Sequence, residues 1–107
     1  MLDSAYKLFF ETLASLNRIK IINSLRKKPK NVTEICEATR FNQTTVSHNL
    51  KRLQTCGFVF SKRKGKCIYY SLNKKTIKPL MEMIDKHMLC FCEHLVKGEF
   101  DKIKYKE

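Results

Sequence analysis

Residues 42–72 read NQTTVSHNLKRLQTCGFVFSKRKGKCIYYSL, and the fold turns on this stretch. Its first half has a helical period. Val46, Leu50 and Leu53 fall at i, i+4 and i+7, which puts three apolar side chains on one face. Between them stand Gln43, Thr44, Thr45, Ser47, His48, Asn49, Lys51 and Arg52, an outer face made almost wholly of hydrogen-bonding groups. Asn42 suits an N-cap, because its side chain can accept from an unpaired amide of the first turn. Gly57 suits a left-handed stop. The second half changes period. Residues 58–60 and 67–72 are rich in the β-branched and aromatic side chains that strands prefer, and they flank the basic, glycine-bearing run 62–66. A polar-faced helix followed at once by a basic hairpin predicts a mainly α winged helix-turn-helix. The helix would enter the DNA major groove, and the hairpin would lie along a neighbouring groove or backbone.

The whole chain agrees with that expectation. Its 107 residues allow one domain with one core over 1–107, with 97–107 a loose, charged tail. Lysine and arginine number 22 against 10 acidic residues, a net charge of +12, so the natural partners are nucleic acid or an anionic surface. No apolar run nears the roughly 18 residues of a membrane span, and no signal-peptide core stands at the start. The expected address is cytoplasmic. Five cysteines, at 36, 56, 67, 90 and 92, are an odd count with no pair of C-x-x-C knuckles. They are expected as free thiols or ligands, with Cys56 and Cys67 as small packing residues. No glycine-rich phosphate loop, G-x-S-x-G elbow or carboxylate pair is present, so neither an enzyme nor a small-molecule substrate is expected.

In chain order, Leu2, Tyr6, Phe9, Leu13 and Leu16 form a heptad-like seam, capped by Asp3 or Ser4. Ser15 or Asn17 opens a second helix through Ile19, Ile22 and Leu25, ending in Arg26, Lys27 and Lys28 before Pro29. Asn31 and Glu34 make a capping pair for a third helix, Val32 to Thr39, and Arg40-Phe41 turns into the reading helix. The last helix, of about five turns, would start with Pro79 at its first position and run to Lys97. It carries a second seam, Met81, Ile84, Met88, Phe91 and Leu95. Two such seams predict packing on each other or on a second copy, with Tyr6, Phe9 and Leu13 as the first helix's share.

Three sets of side chains carry the expected chemistry. Gln43, Thr44, Thr45, Ser47 and His48 can read base edges, and Lys51, Arg52, Lys62, Arg63, Lys64 and Lys66 can pair with phosphates. The plainer alternative is a solvated helix face and a solvated turn. His87, Cys90, Cys92 and His94 are ligand types for a thiophilic metal ion. On an α-helix His87, Cys90 and His94 share a side, but Cys92 turns roughly 200° from Cys90. One helix therefore cannot chelate one ion with both thiols, and a site needs ligands from a neighbouring helix or subunit. A thiol-redox sensor and simple packing are the alternatives.

The run VSHNLKRLQTCGFVFSKRKGKCIYYSL resembles the ArsR family of winged-helix repressors, whose VS-x-H-L-x-x-L-x-x-x-G-L-V is followed by a basic wing and YY-x-L. Upstream, LASLNRIKIINSL is similar to that family's second helix and NVTEIC to its third. The likeness spans roughly residues 8–96. Asn49 stands where the family usually has histidine. The resemblance implies a homodimer through the first and last helices that binds double-stranded operator DNA, represses transcription, and is released by a metal or thiol-reactive effector at the last helix. Asp85 and His87 match the first half of the family's Asp-x-His metal pattern, but the partner histidine would fall near Gly98. Cys36 matches the first cysteine of a Cys-x-Cys pattern whose second position is Ala38. The competing expectation is a constitutive or architectural DNA-binding protein with no effector.

Overall fold

Local signals set the element boundaries. A computed structural model describes residues 2–92, ordered as α1 (Leu2–Leu13), α2 (Leu16–Ser24), α3 (Val32–Thr39), α4 (Gln43–Thr55), β1 (Val59–Lys64), β2 (Cys67–Leu72) and α5 (Ile77–His87). A π-helical turn, Met88–Cys92, follows α5. The chain divides into two compact units, Met1–Asn73 and Lys74–Glu107.

In the first unit, Ser15 caps α2 by accepting from the Arg18 amide at 3.3 Å. Leu16 thus begins α2 and does not extend the α1 seam. α2 stops at Ser24, short of the expected basic ending. Leu25 has left the helical well, and the Ser24 hydroxyl donates to the Ile21 carbonyl at 2.6 Å. Arg26, Lys27 and Lys28 therefore lie in the connection. The ammonium of Lys30 instead reaches back to the Ser24 carbonyl, where the helix dipole favours a cation. Asn31 and Glu34 form the reciprocal capping box of α3, at 2.9 and 3.1 Å. α3 ends on Arg40 in the left-handed region, φ 63°.

α4 is closed at both ends. Asn42 Oδ1 accepts from the Thr45 amide at 2.8 Å. After Cys56, Gly57 adopts φ +76°, its amide donates to the Gln54 carbonyl and the Phe58 amide donates to the Leu53 carbonyl. That is the Schellman pattern, and its accompanying apolar pair, Leu53 and Phe58, is buried. β1 and β2 pair antiparallel from Val59↔Leu72 to Lys64↔Cys67, so the expected first strand extends into the basic run. Gly65 is the first of two turn residues and the only one of them with positive φ, as a type II′ turn requires. Lys30 bridges the other edge of β2 through two bonds with Tyr70, at 3.0 and 2.8 Å.

The core of this unit comprises Ile21, Ile22 and Leu25 of the α2 region, Ile35, then Val46, Leu50 and Leu53, and Phe58, Val59 and Leu72. α1 joins it through Phe9, whose ring lies 5.2 Å from that of Phe58.

In the second unit, Pro79 is the third residue of α5, not the first. It still falls within the first turn, where a missing N–H costs no helical bond. Ile77 and Met81, one turn apart, are buried. The α-helix ends at His87 and gives way to the π turn, and the part of the expected helix beyond Cys92, with His94 and Leu95, lies outside the described residues. Among the described residues no helix is long and apolar enough to cross a membrane.

Candidate nucleic-acid interface

The α4 helix divides cleanly by face. Val46, Asn49, Leu50 and Leu53 are buried, at i, i+3, i+4 and i+7. Gln43, Thr44, Ser47, His48 and Lys51 are exposed along the opposite side, and Thr45 is half-buried beside the cap. Asn49 corrects the expected outer face, being 7% exposed. Its amide donates to the Thr45 carbonyl at 2.8 Å, and its oxygen faces Arg18 Nη1 at 3.5 Å. The signal was present in the spacing: position 49 completes the buried stripe, and only its polarity disguised it.

Arg18 was not singled out by any motif, yet it organises this corner. Its guanidinium donates to the carbonyls of Thr12 at 2.6 Å and Glu11 at 3.0 Å, closing the C-terminal end of α1 with positive charge. Thr12 is fully buried. Its hydroxyl donates to the Leu8 carbonyl at 2.8 Å, accepts from Arg52 Nε at 3.2 Å and lies 3.5 Å from Cys56 Sγ. Arg52, expected on the phosphates, is therefore half-buried with its Nε turned toward α1. Two arginines and an asparagine thus tie α1, α2 and α4 into one polar junction.

The wing is tied to the same helix. Gln54 Nε2 donates to Ser61 Oγ at 2.9 Å, between α4 and β1. Lys62, Arg63, Lys64 and Lys66 are all exposed. Lys62 and Lys64 share one face of the hairpin, and Arg63 takes the other, its Nε donating to the Gly65 carbonyl at 3.3 Å. Lys51, Lys62, Lys64 and Lys66 form no ion pair among the described residues. Their field is therefore open to an anionic partner.

The expected seams are partly exposed. On α1, Tyr6 and Phe10 are 57% and 58% exposed, and a groove of about 460 Å³ is lined by Leu2, Ala5, Tyr6, Phe9 and Phe10. Phe9 and Leu13 are half-buried. In the second unit Ile84 and Phe91 are half-buried and Met88 is exposed. Met81 departs from the expected interface, because it is already buried within the single chain.

Of the expected effector residues, His87, Cys90 and Cys92 lie among the described residues and His94 lies outside them. All five cysteines are free. Cys67 is exposed on β2, not a packing residue as expected. Cys90 is exposed and Cys92 half-buried. Both lie in the π turn, whose i→i+5 register rotates each residue less than an α-helix does. The expected α-helical angle between them therefore does not apply. The His87 ring packs on Phe91, 4.8 Å between centroids. Among the described residues, no three His, Cys, Asp or Glu side chains converge to hold a metal ion.

A reading helix locked into a helix-turn-helix, with a basic wing tethered beside it, defines a winged helix-turn-helix DNA-binding protein. The pattern of the arsR family of bacterial regulatory proteins matches residues 15–61. The chain is 35% identical over 92 residues to the HTH-type transcriptional regulator NmtR of Mycobacterium tuberculosis, covering 86% of this chain and 73% of NmtR. It is 34% identical over 76 residues to the cadmium resistance transcriptional regulatory protein CadC of Listeria innocua, covering 70% of this chain and 64% of CadC. Its backbone matches the homodimeric winged helix-turn-helix DNA-binding domain of a Mycobacterium bovis protein with a TM-score of 0.79 at 28% identity, over 87% of this chain and 86% of that one. The chain belongs to the ArsR family and is a DNA-binding transcriptional regulator.

Proposed function

We propose that the protein is a homodimeric repressor, its residues 1–107 acting as one domain, that reads operator DNA with α4 and holds the backbone with its wing. Gln43, Thr44, Thr45, Ser47 and His48 contact base edges. Lys51 and Arg52, through the part of its guanidinium that Thr12 leaves over, position the phosphates together with Lys62, Arg63, Lys64 and Lys66. The observation that carries this reading is the exposed polar stripe of α4, opposite a fully packed stripe and held to the basic wing by Gln54 and Ser61. The dimer forms through the first and last helices, using Tyr6, Phe9, Leu13, Ile84, Met88, Phe91 and Leu95. The apolar groove on α1 and the homodimeric Mycobacterium bovis relative support it. A two-fold dimer presents two reading helices to successive major grooves.

Release by an effector at Cys90 and Cys92 is the finer reading, supported by a relative named for cadmium resistance. The described ligand set is incomplete within one chain, so a metal would need donors from beyond it.

The test uses an operator selected from random duplexes. Ser47→Ala narrows the affinity gap between operator and random DNA, whereas Lys64→Ala weakens both alike and lowers the salt slope by about 1. Equal losses on both DNAs from Ser47→Ala would remove α4 from base reading. Cys90→Ser with Cys92→Ser should leave DNA binding intact and abolish release by thiophilic metals and oxidants. Retained release would make these thiols packing residues and overturn the sensor reading.

A further inference from the structure

The outer face of the wing holds a cleft that DNA reading by α4 does not explain. Residues paired directly across β1 and β2 share a face, so Lys62 lies with Tyr69 and Phe60 with Ser71, and Lys64 falls on that side too. The Lys30–Tyr70 bridge then brings the α2–α3 connection to the free edge of β2. The result is a cavity of about 500 Å³ lined by Lys28, Pro29, Lys62, Lys64, Tyr69 and Ser71. Its size is within the range that small-molecule ligands occupy.

The lining chemistry is one-sided. Three lysines, a tyrosine and a serine line one space with Pro29, much of its wall being their apolar parts, and no carboxylate residue lines it. Lys28, Lys62 and Lys64 form no ion pair among the described residues. Three like charges gathered round a shared volume repel one another, and an anion placed there relieves that repulsion while accepting charge-assisted hydrogen bonds. The half-buried Tyr69 adds an aromatic, hydroxyl-bearing side chain to the lining.

We propose that this cleft binds phosphoryl groups, with Lys28, Lys62 and Lys64 as cationic contacts and Tyr69 and Ser71 as hydroxyl donors. The proposal rests on the DNA-binding reading for Lys62 and Lys64, and adds Lys28, Tyr69 and Ser71 to it. The phosphoryl group comes either from the DNA backbone or from a free phosphorylated small molecule. In the second case occupancy competes with DNA for the wing lysines, and linkage makes DNA affinity fall as the anion rises.

The probe is sodium tripolyphosphate, titrated into the DNA-free protein and followed by NMR. Resonances of Tyr69 and Ser71 should shift saturably, and Lys28→Ala should weaken the affinity about three- to fivefold. Lys7→Ala removes the same charge elsewhere and should change it far less. Equal losses from the two variants, or none from Lys28→Ala, would overturn the proposal, leaving only a net-charge effect. The source is separated with operator duplexes carrying or lacking flanking base pairs. Weakened binding of the flanked duplex by Lys28→Ala assigns the cleft to DNA backbone, whereas a loss confined to tripolyphosphate assigns it to a free ligand. Failure of the DNA-reading assignment shows separately, as wild-type protein without preference for operator over random DNA, and leaves the tripolyphosphate titration standing.

Discussion

α4 and the α5 region both show amphipathic spacing, yet they settle differently. α4 has an asparagine cap, a glycine stop with its paired carbonyls, and a four-residue stripe covered on every position. α5 buries only Ile77 and Met81 among its described residues, meets no glycine, and passes from α to π winding at Met88. Period alone therefore does not fix a helix. What closes its ends, and what covers its apolar face, decides whether the winding continues. For a DNA reader the rigid member is the one that must hold five polar side chains in register, and the chain spends its capping residues there.

The comparison can be broken first in the core. Leu53→Ala removes a fully buried side chain that also seats the Schellman turn, and should cost about 2–5 kcal/mol. Denaturant unfolding of the variant checks it. A loss below about 1 kcal/mol would mean that α4 is no better packed than α5.

Next is the polar junction. Arg18→Ala strips donors from the Thr12 and Glu11 carbonyls and from Asn49, and should cost about 1.5–3 kcal/mol. Arg18→Lys should recover only part, because one ammonium cannot span three acceptors on two helices. Full recovery in thermal unfolding would reduce the junction to a simple charge at the end of α1.

The helix stop gives a smaller effect. A Cβ at Gly57 would meet nothing within 4 Å, so the cost of Gly57→Ala comes from φ +76° alone, about 1–2 kcal/mol. Faster amide exchange at Gly57 and Phe58 should accompany it. The smallest effect belongs to the π turn: Met88→Ala, at an exposed position, should stay within about 0.5 kcal/mol. A larger loss would show that Met88 is covered in solution, and it should then depend on protein concentration, as a residue at a dimer contact would.

Much of the fold was legible. The α3 capping box, the Asn42 cap, the Gly57 stop and the hairpin glycine are signals that act within four residues; α3 and α4 lie where these place them, while β1 continues into the basic run up to the turn. The departures come from side-chain hydrogen bonds and polarity that helical spacing does not record. α2 ends early because the Ser24 hydroxyl and the Lys30 ammonium take up its last carbonyls, and α5 starts two residues before Pro79. Asn49 looked like a surface donor because polarity outweighed its place in the stripe.

The sequence by itself determined that this chain is a basic winged helix-turn-helix. Helical spacing, strand composition, turn glycines and net charge are local or additive properties, and no partner element is needed to read them. Only the tertiary structure decided that Arg52 turns toward α1, that Arg18 joins three helices, and that Lys28 meets the wing lysines across a cleft. Each of those depends on which distant residue supplies an acceptor or a charge, and sequence spacing holds no record of distance between elements.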